Sequence, residues 1–105
     1  MKYRIVRTDT ADSLLHRIIL HVAENFGTDV ALEKLDYIEN LIMALEDNPY
    51  IGVVPKYNVL KRQGYLVLIL EKDLVFYKVD DEDRLVTIYA VVDQRQDYLS
   101  VIKGL

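Results

Sequence analysis

The side chains best suited to chemistry lie near the end of the chain, where residues 93–98 read Asp-Gln-Arg-Gln-Asp-Tyr. Arg95, Asp97 and Tyr98 could form a small polar site, in which Asp97 orients the Arg95 guanidinium. The same residues could instead be structural, with an ion pair closing the edge of a sheet and the tyrosine packing on the core. The sequence leaves both interpretations open.

A second group of cations precedes this segment. Lys56, Lys61 and Arg62 follow one another along the chain with no acidic residue between them. With Arg95 they could bind an anionic partner such as a phosphate backbone. They could equally belong to an ordinary solvated loop.

The sequence contains no recognisable metal or cofactor motif. It has no cysteine, and His16 and His21 are spaced so that a helix places them on different faces. The acidic run Asp80–Asp83 lacks the ligand spacing of a calcium loop. A glycine-rich phosphate loop and a serine nucleophile motif are also absent. We therefore predict that the protein uses no cofactor and no metal.

Three apolar runs, rich in β-branched and aromatic residues, must position the terminal segment. They are Tyr65–Leu70, Leu74–Val79 and Leu85–Val92. The short charged connections between them predict an antiparallel meander. Apolar residues occupy both odd and even positions of the first run, so both faces of the sheet should be covered. Helices of the same chain can cover one face, and the other face suggests a partner.

The N-terminal half predicts a strand and two helices. Lys2–Arg7 alternates as a strand does, and a helix with Asp9, Thr10 or Asp12 as N-cap follows. Gly27 should end that helix, and Thr28 or Asp29 should cap the next one.

The second helix should end at Asp47-Asn48-Pro49, and Asn58–Arg62 should add a short strand. The short connection at Gly27 predicts an αα-hairpin. The resulting order is β-α-α-β-β-β-β. It predicts a two-layer α+β fold with the helical hairpin packed on a mostly antiparallel sheet, as a single domain over residues 1–105.

Composition and charge limit the possible functions. The chain has 105 residues and a net charge of −4, which argues against a general nucleic-acid binder. The charge is uneven, because residues 9–47 contain nine acidic residues and two basic ones. The molecule is either electrostatically two-faced or simply solvated on both surfaces. No apolar run is long enough to span a bilayer, so we expect no membrane association and a cytoplasmic location.

Three segments of the chain are similar to motifs of a known family. They are Ala-Leu-Glu-Asp-Asn-Pro at 44–49, Leu-Val-Phe-Tyr-Lys-Val-Asp at 74–80 and Arg-Gln-Asp-Tyr at 95–98. The last two, at their fixed separation, are the more specific. Through them the chain resembles the RelE/ParE superfamily of bacterial toxins from type II toxin–antitoxin modules, over residues 3–102.

The resemblance implies a growth inhibitor that is neutralised by a cognate antitoxin. RelE-like members cleave mRNA on the ribosome, whereas ParE-like members poison DNA gyrase. In the nuclease interpretation Arg62, Arg95 and Tyr98 would be the catalytic residues. The resemblance also implies a toxin–antitoxin hetero-oligomer, in which an acidic or amphipathic antitoxin segment wraps the toxin.

The chain departs from the nuclease pattern at three positions. Leu66 and Ala90 stand where an arginine is common, and Asp93 stands where a histidine or tyrosine is common. A carboxylate there would repel a phosphate unless it is protonated or paired. The sequence therefore favours a ParE-like poison of gyrase, with a ribosome-dependent endoribonuclease or a non-toxic antitoxin-binding member as the alternatives, and whether the chain is an enzyme stays open.

Overall fold

In the computed structural model, a helical hairpin packs on one face of a four-stranded sheet. The structure describes residues 2–96, 98–103 and 105. The strands are β1 (Arg4–Arg7), β2 (Leu66–Ile69), β3 (Asp73–Asp80) and β4 (Leu85–Asp93). The helices are α1 (Asp9–Phe26), α2 (Thr28–Met43), α3 (Asn58–Arg62) and α4 (Tyr98–Lys103), and a 3₁₀ turn at Ala44–Glu46 follows α2. The predicted α+β architecture is confirmed.

The sheet is mixed, with the strand order β1-β4-β3-β2. The expected meander of β2, β3 and β4 is antiparallel, and β1 joins it in parallel beside β4. Because α1 begins two residues after β1 ends, the hairpin returns directly over the sheet. Among the described helices, none combines the length and the apolar character that a membrane span requires.

The hairpin forms at Gly27, which is the only residue between α1 and α2. Its φ of 96° and ψ of 162° suit glycine alone. The predicted caps were wrong at both helix starts. The N-cap of α1 is Thr8, whose hydroxyl accepts a hydrogen bond from the Ala11 N–H at 3.0 Å, so Asp9, Thr10 and Asp12 already lie inside the helix. At α2 the cap position is Gly27 itself, and Thr28 and Asp29 lie in the first turn.

The hairpin-side core fills the space between the helices and the sheet. Its buried members are Ala11, Leu15, Ile38, Ile42, Leu45, Leu68, Leu70, Val75, Tyr77, Val86, Ile88 and Val91. Each helix contributes residues at helical spacing, and β3 contributes alternate residues, as amphipathic elements require. This core fixes the hairpin on the sheet.

A second core lies on the opposite face of the sheet. This outer core consists of Leu14, Leu60, Tyr65, Val67, Leu74, Phe76, Ala90, Val92 and Ile102. The short helices α3 and α4 cover it with Leu60 and Ile102, which are both fully buried. The sequence suggested a partner for this face, but the chain itself supplies much of the cover.

The predicted strand at Asn58–Arg62 was wrong, because this segment is α3. The carbonyl of Tyr57 accepts hydrogen bonds from the N–H groups of Leu60 and Lys61 at 3.1 and 3.0 Å, which closes a helical turn. A five-residue stretch with one buried leucine has too little periodicity to distinguish a helix from a strand.

Asp81 joins three distant segments on the surface. Its carboxylate accepts hydrogen bonds from the hydroxyls of Tyr3, at 2.6 Å, and Tyr50. These bonds lower the pKa of Asp81, the Tyr3 bond first, and the bond to Asp81 raises the pKa of Tyr50 to about 12. The N-terminus and the loop after α2 are thereby tied to the β3–β4 turn.

The first prediction concerns the hairpin turn. Gly27→Ala should lower the free energy of unfolding by about 1–3 kcal/mol, because alanine is strained at this φ and ψ. A Cβ there meets nothing within 4 Å, so the loss would be a backbone effect alone. Urea unfolding followed by circular dichroism measures it. Thr28→Ala is the matched control and should be nearly neutral, since Thr28 is the first helical residue of α2 and not its cap; a loss as large as that at Gly27 would contradict the assignment.

The second prediction concerns acid stability. A carboxyl whose pKa is lower in the folded state stabilises the fold above the ordinary pKa of about 3.9. That contribution is lost as the pH falls through this value to the lower pKa of folded Asp81. In the Asp81→Asn variant the free energy of unfolding should therefore decrease less steeply as the pH is lowered. Urea unfolding at a series of pH values, from neutral to about 3, measures this slope. Glu82→Gln, in the same turn, should keep the steepness of the parent protein.

Candidate functional site

Two of the predicted residues, Lys56 and Tyr98, line a groove at the β2 edge of the sheet. This edge groove, of about 300 Å³, is lined by Val53, Val54, Pro55, Lys56, Val67, Ile69, Leu74, Phe76, Gln94 and Tyr98. Its outer wall is the loop after the 3₁₀ turn, which Val53 attaches to Val67 through two backbone hydrogen bonds of 2.8 and 2.9 Å. The groove is therefore a continuation of the sheet, with an apolar floor.

Lys56 and Tyr98 both line this groove, although 42 positions separate them in the sequence. The ammonium of Lys56 lies 5.2 Å from the centre of the Tyr57 ring, and that ring meets the Tyr98 ring edge-on at 5.8 Å. A cation and a phenol thus share one wall. The Tyr57 and Tyr98 rings meet because α3, which begins directly after Tyr57, packs beside α4.

Arg95 is bound by Asp93, which lies two residues before it in the chain. Its Nε and Nη2 atoms donate to the Asp93 carboxylate at 3.3 and 3.4 Å, and its backbone N–H donates at 2.7 Å. The hydrogen bond from the Arg95 side chain is the largest cause of a lowered pKa at Asp93, and the same bond raises the pKa of Arg95. Asp93 is therefore anionic at neutral pH and partly neutralises the guanidinium. The structure does not describe Asp97, the residue expected to orient Arg95.

Gln94 anchors the segment, a role that the sequence analysis missed. Its carboxamide donates to the carbonyl of Leu70 at 2.6 Å, and its backbone N–H donates to the carbonyl of Lys72 at 2.9 Å. Both acceptors belong to the β2–β3 turn. A polar residue directly after a central strand was the available signal, since such a residue can satisfy the carbonyls of an adjacent turn.

Lys61 and Arg62 do not line the groove. They lie exposed in the last turn of α3. Of the four predicted binding cations, only Lys56 lines the edge groove.

The Tyr98 ring also has a packing role in the outer core. It contacts Phe76 with 5.4 Å between ring centres, and Phe76 in turn meets Tyr65 edge-on at 6.3 Å. The series continues to Tyr89, and the ammonium of Lys78 lies over both tyrosines at 4.5 and 5.1 Å. Sequence analysis missed Lys78. The only signal was the position of Lys78 two residues after Phe76 on β3, which places both on the face of the sheet where the tyrosines lie.

RNA cleavage requires a proton acceptor, concentrated positive charge and a proton donor at one phosphate. The groove supplies a phenol from Tyr98 and an ammonium from Lys56. The carboxylate paired with Arg95 is Asp93, whose lowered pKa makes it a weak base. Within the described residues, no group of histidine and carboxylate side chains could hold a metal ion.

Comparisons with known proteins agree with this architecture. The family model for the ParE toxin of the type II toxin–antitoxin system parDE matches residues 5–98. No curated protein matched the sequence.

Several solved structures share the fold. A chain of the chromosomal ParDE system from P. aeruginosa has a TM-score of 0.72 and 19% identity, covering 87% of this chain and 95% of that one. A chain of the RelBE2 toxin–antitoxin complex of Mycobacterium tuberculosis has a TM-score of 0.63 and 19% identity, covering 90% of this chain and 100% of that one. A mutant of the E. coli toxin RelE in the free state has a TM-score of 0.65 and 14% identity, covering 100% of this chain and 99% of that one. These identities establish a common fold only. The family match over residues 5–98 establishes membership, and the chain therefore belongs to the ParE toxin family of type II toxin–antitoxin systems, within the RelE/ParE superfamily.

Proposed function

We propose that this protein is a growth-inhibiting toxin that acts in the cytoplasm as a poison of DNA gyrase. The observation that carries the proposal is the pairing of Arg95 with Asp93 at the place where a nuclease needs free positive charge. An anionic carboxylate at this position repels a substrate phosphate and competes with it for the guanidinium. Membership of the ParE family supports the same target.

The separation of the cations also supports a non-hydrolytic mechanism. Lys61 and Arg62 lie on α3, whereas Arg95 follows β4. A poison that binds a protein surface does not need these charges at one reacting atom. Lys56, Lys61, Arg62 and Arg95 can then act as dispersed contacts to an anionic surface of the enzyme–DNA complex.

We further propose that a cognate antitoxin silences the toxin in a hetero-oligomer. Related folds have been solved as toxin–antitoxin complexes, among them the intact RelBE complex of E. coli. Exposed apolar side chains support a partner here. Val53 and Val54 are about half exposed, and Ile69 is 63% exposed at the β2 edge.

A ribosome-dependent mRNA endoribonuclease is the second candidate function. The specific observation in its favour is that Lys56 and Tyr98 share the edge groove, with Arg95 one residue beyond Gln94. In that mechanism Arg62 and Arg95 would stabilise the phosphate and Tyr98 would transfer a proton.

Two reactions distinguish these functions. Purified toxin, added to gyrase with supercoiled plasmid and ATP, should trap cleaved DNA that appears as linear plasmid after detergent and protease treatment. Added to a reconstituted translation reaction, it should leave mRNA intact. Truncated mRNA with no trapped DNA would overturn the gyrase proposal. If neither occurs and expression leaves growth unchanged, the protein is a non-toxic member that only binds antitoxin.

Arg95→Ala tests the terminal segment in cells. A gyrase poison should keep most of its growth inhibition, because the guanidinium is already bound to Asp93 and 87% exposed. A nuclease should lose at least about tenfold of its mRNA cleavage, because a charged hydrogen bond to phosphate contributes about 1.5–3 kcal/mol. Growth after induction and mRNA cleavage measure the two outcomes. Lys103→Ala, which removes an exposed cation from α4, is the matched control.

A further inference from the structure

A second concavity, apart from the edge groove, lies between the α1–α2 turn and the β2–β3 turn. We call it the hairpin cleft, and it has a volume of about 390 Å³. Its apolar lining comes from Val22, Phe26, Val30 and Tyr37. The cleft therefore lies where the end of the hairpin faces the turn that holds Gln94.

Three of the four apolar side chains of this cleft are open to solvent, and Val22 is buried. Phe26 is 68% exposed, and Val30 and Tyr37 are 45% and 46% exposed. None of these three belongs to the hairpin-side core or the outer core. Exposed aromatic residues beside a concavity are typical of the central contacts in protein interfaces. The fold does not need them, so their exposure points to a partner.

The charge of the cleft defines the chemistry of that partner. Three carboxylates, from Glu33, Glu71 and Asp73, line the cleft against the two lysines Lys34 and Lys72, so its lining has an excess of one negative charge. The side chain of Asp73 is 3% exposed, and Lys34 pairs with its Oδ2 at 2.9 Å. Its Oδ1 has no hydrogen-bond partner among the described residues. A buried carboxylate with one unsatisfied oxygen strengthens the negative potential at this wall.

The wider surface has the same sign. Residues 9–47 contain nine acidic and two basic residues, a net charge of −7, whereas the whole chain carries −4. Arg7 pairs with Asp12 and Glu39, which leaves most of these carboxylates available. An acidic segment would be repelled by this face, and a basic one would be attracted.

We propose that the hairpin cleft binds a basic amphipathic segment of the antitoxin. An apolar side chain of that segment inserts between Phe26, Val30 and Tyr37, and a flanking lysine or arginine lies against Glu33 and Glu71. This assignment rests on the proposed function, in which an antitoxin silences the toxin. The family resemblance implied an acidic or amphipathic antitoxin segment, whereas this cleft favours a basic one.

The position of the cleft suits a silencing partner. Its wall includes Lys72, whose carbonyl accepts the Gln94 N–H, and Arg95 is the next residue. An occupant of the cleft therefore lies beside the terminal segment, where it can cover the functional surface as well as the hairpin.

Two synthetic amphipathic peptides test the proposal, one with leucine anchors and lysines, the other with the same leucines and glutamates. Titrated into ¹⁵N-labelled toxin, the lysine peptide should shift the amides of Phe26, Val30 and Glu33 and bind at least about tenfold more tightly than the glutamate peptide. Absence of binding by the lysine peptide, equal binding of both peptides, or shifts confined to the edge groove would overturn the proposal.

Matched variants locate the contact. Glu33→Lys should weaken binding of the lysine peptide at least about tenfold. Asp36→Lys makes the same charge change on α2 outside the cleft lining and should weaken it much less. Phe26→Ala should also weaken binding, whereas Leu32→Ala, at a hairpin side chain that is 53% exposed, should not. Equal effects within either pair would contradict a local site.

Growth assays separate this proposal from the proposed function. Expressed without an antitoxin, Phe26→Ala and Glu33→Lys should inhibit growth as strongly as the parent. Loss of inhibition by these variants would assign the cleft to the target and overturn the antitoxin assignment. If the parent itself does not inhibit growth, the toxin function fails, while the peptide titration still decides whether the cleft binds a basic segment.

Discussion

The pairing of β3 with β4 is the constraint on which the rest of the structure depends. The pairing register of the two strands changes between Phe76 and Tyr77. Phe76 pairs with Ala90 and Tyr77 pairs with Ile88, so Tyr89 is an extra residue in β4. A bulge of this kind places two consecutive residues on the same face of a strand. Ile88 consequently lies in the hairpin-side core, and Ala90 lies in the outer core. Without this shift the end of β4 would present its apolar residues to the wrong layer.

The same ladder fixes the terminal segment. Its last pair joins Asp73 to Asp93, so the chain leaves the sheet directly beside the β2–β3 turn. Gln94 satisfies the carbonyls of that turn, and Arg95 turns back to Asp93. A cation that is already paired with a nearby carboxylate attracts an external anion less strongly. The backbone therefore fixes where this guanidinium lies, and Asp93 sets how much of its charge is available to a partner.

Strand positions could be predicted because their signal is local. The bounds of β2, β3 and β4 agree with the apolar runs to within one residue at each end. The short helices could not be predicted in this way. Helices of five and six residues are unstable alone, and α3 and α4 exist because Leu60 and Ile102 are buried against the sheet. The candidate site was harder still, because Lys56 and Tyr98 line one groove only when those helices pack side by side.

Fold alone does not decide between the mechanisms of this superfamily, since one sheet and hairpin can carry either surface. The decision lies in how charge is distributed over the fold. With nine acids and two bases in residues 9–47 and a net charge of −4 overall, the remaining residues carry +3. The excess of acidic residues is therefore concentrated in the segment that forms the hairpin. A segment of opposite charge is attracted to such a surface, and one of like charge is repelled.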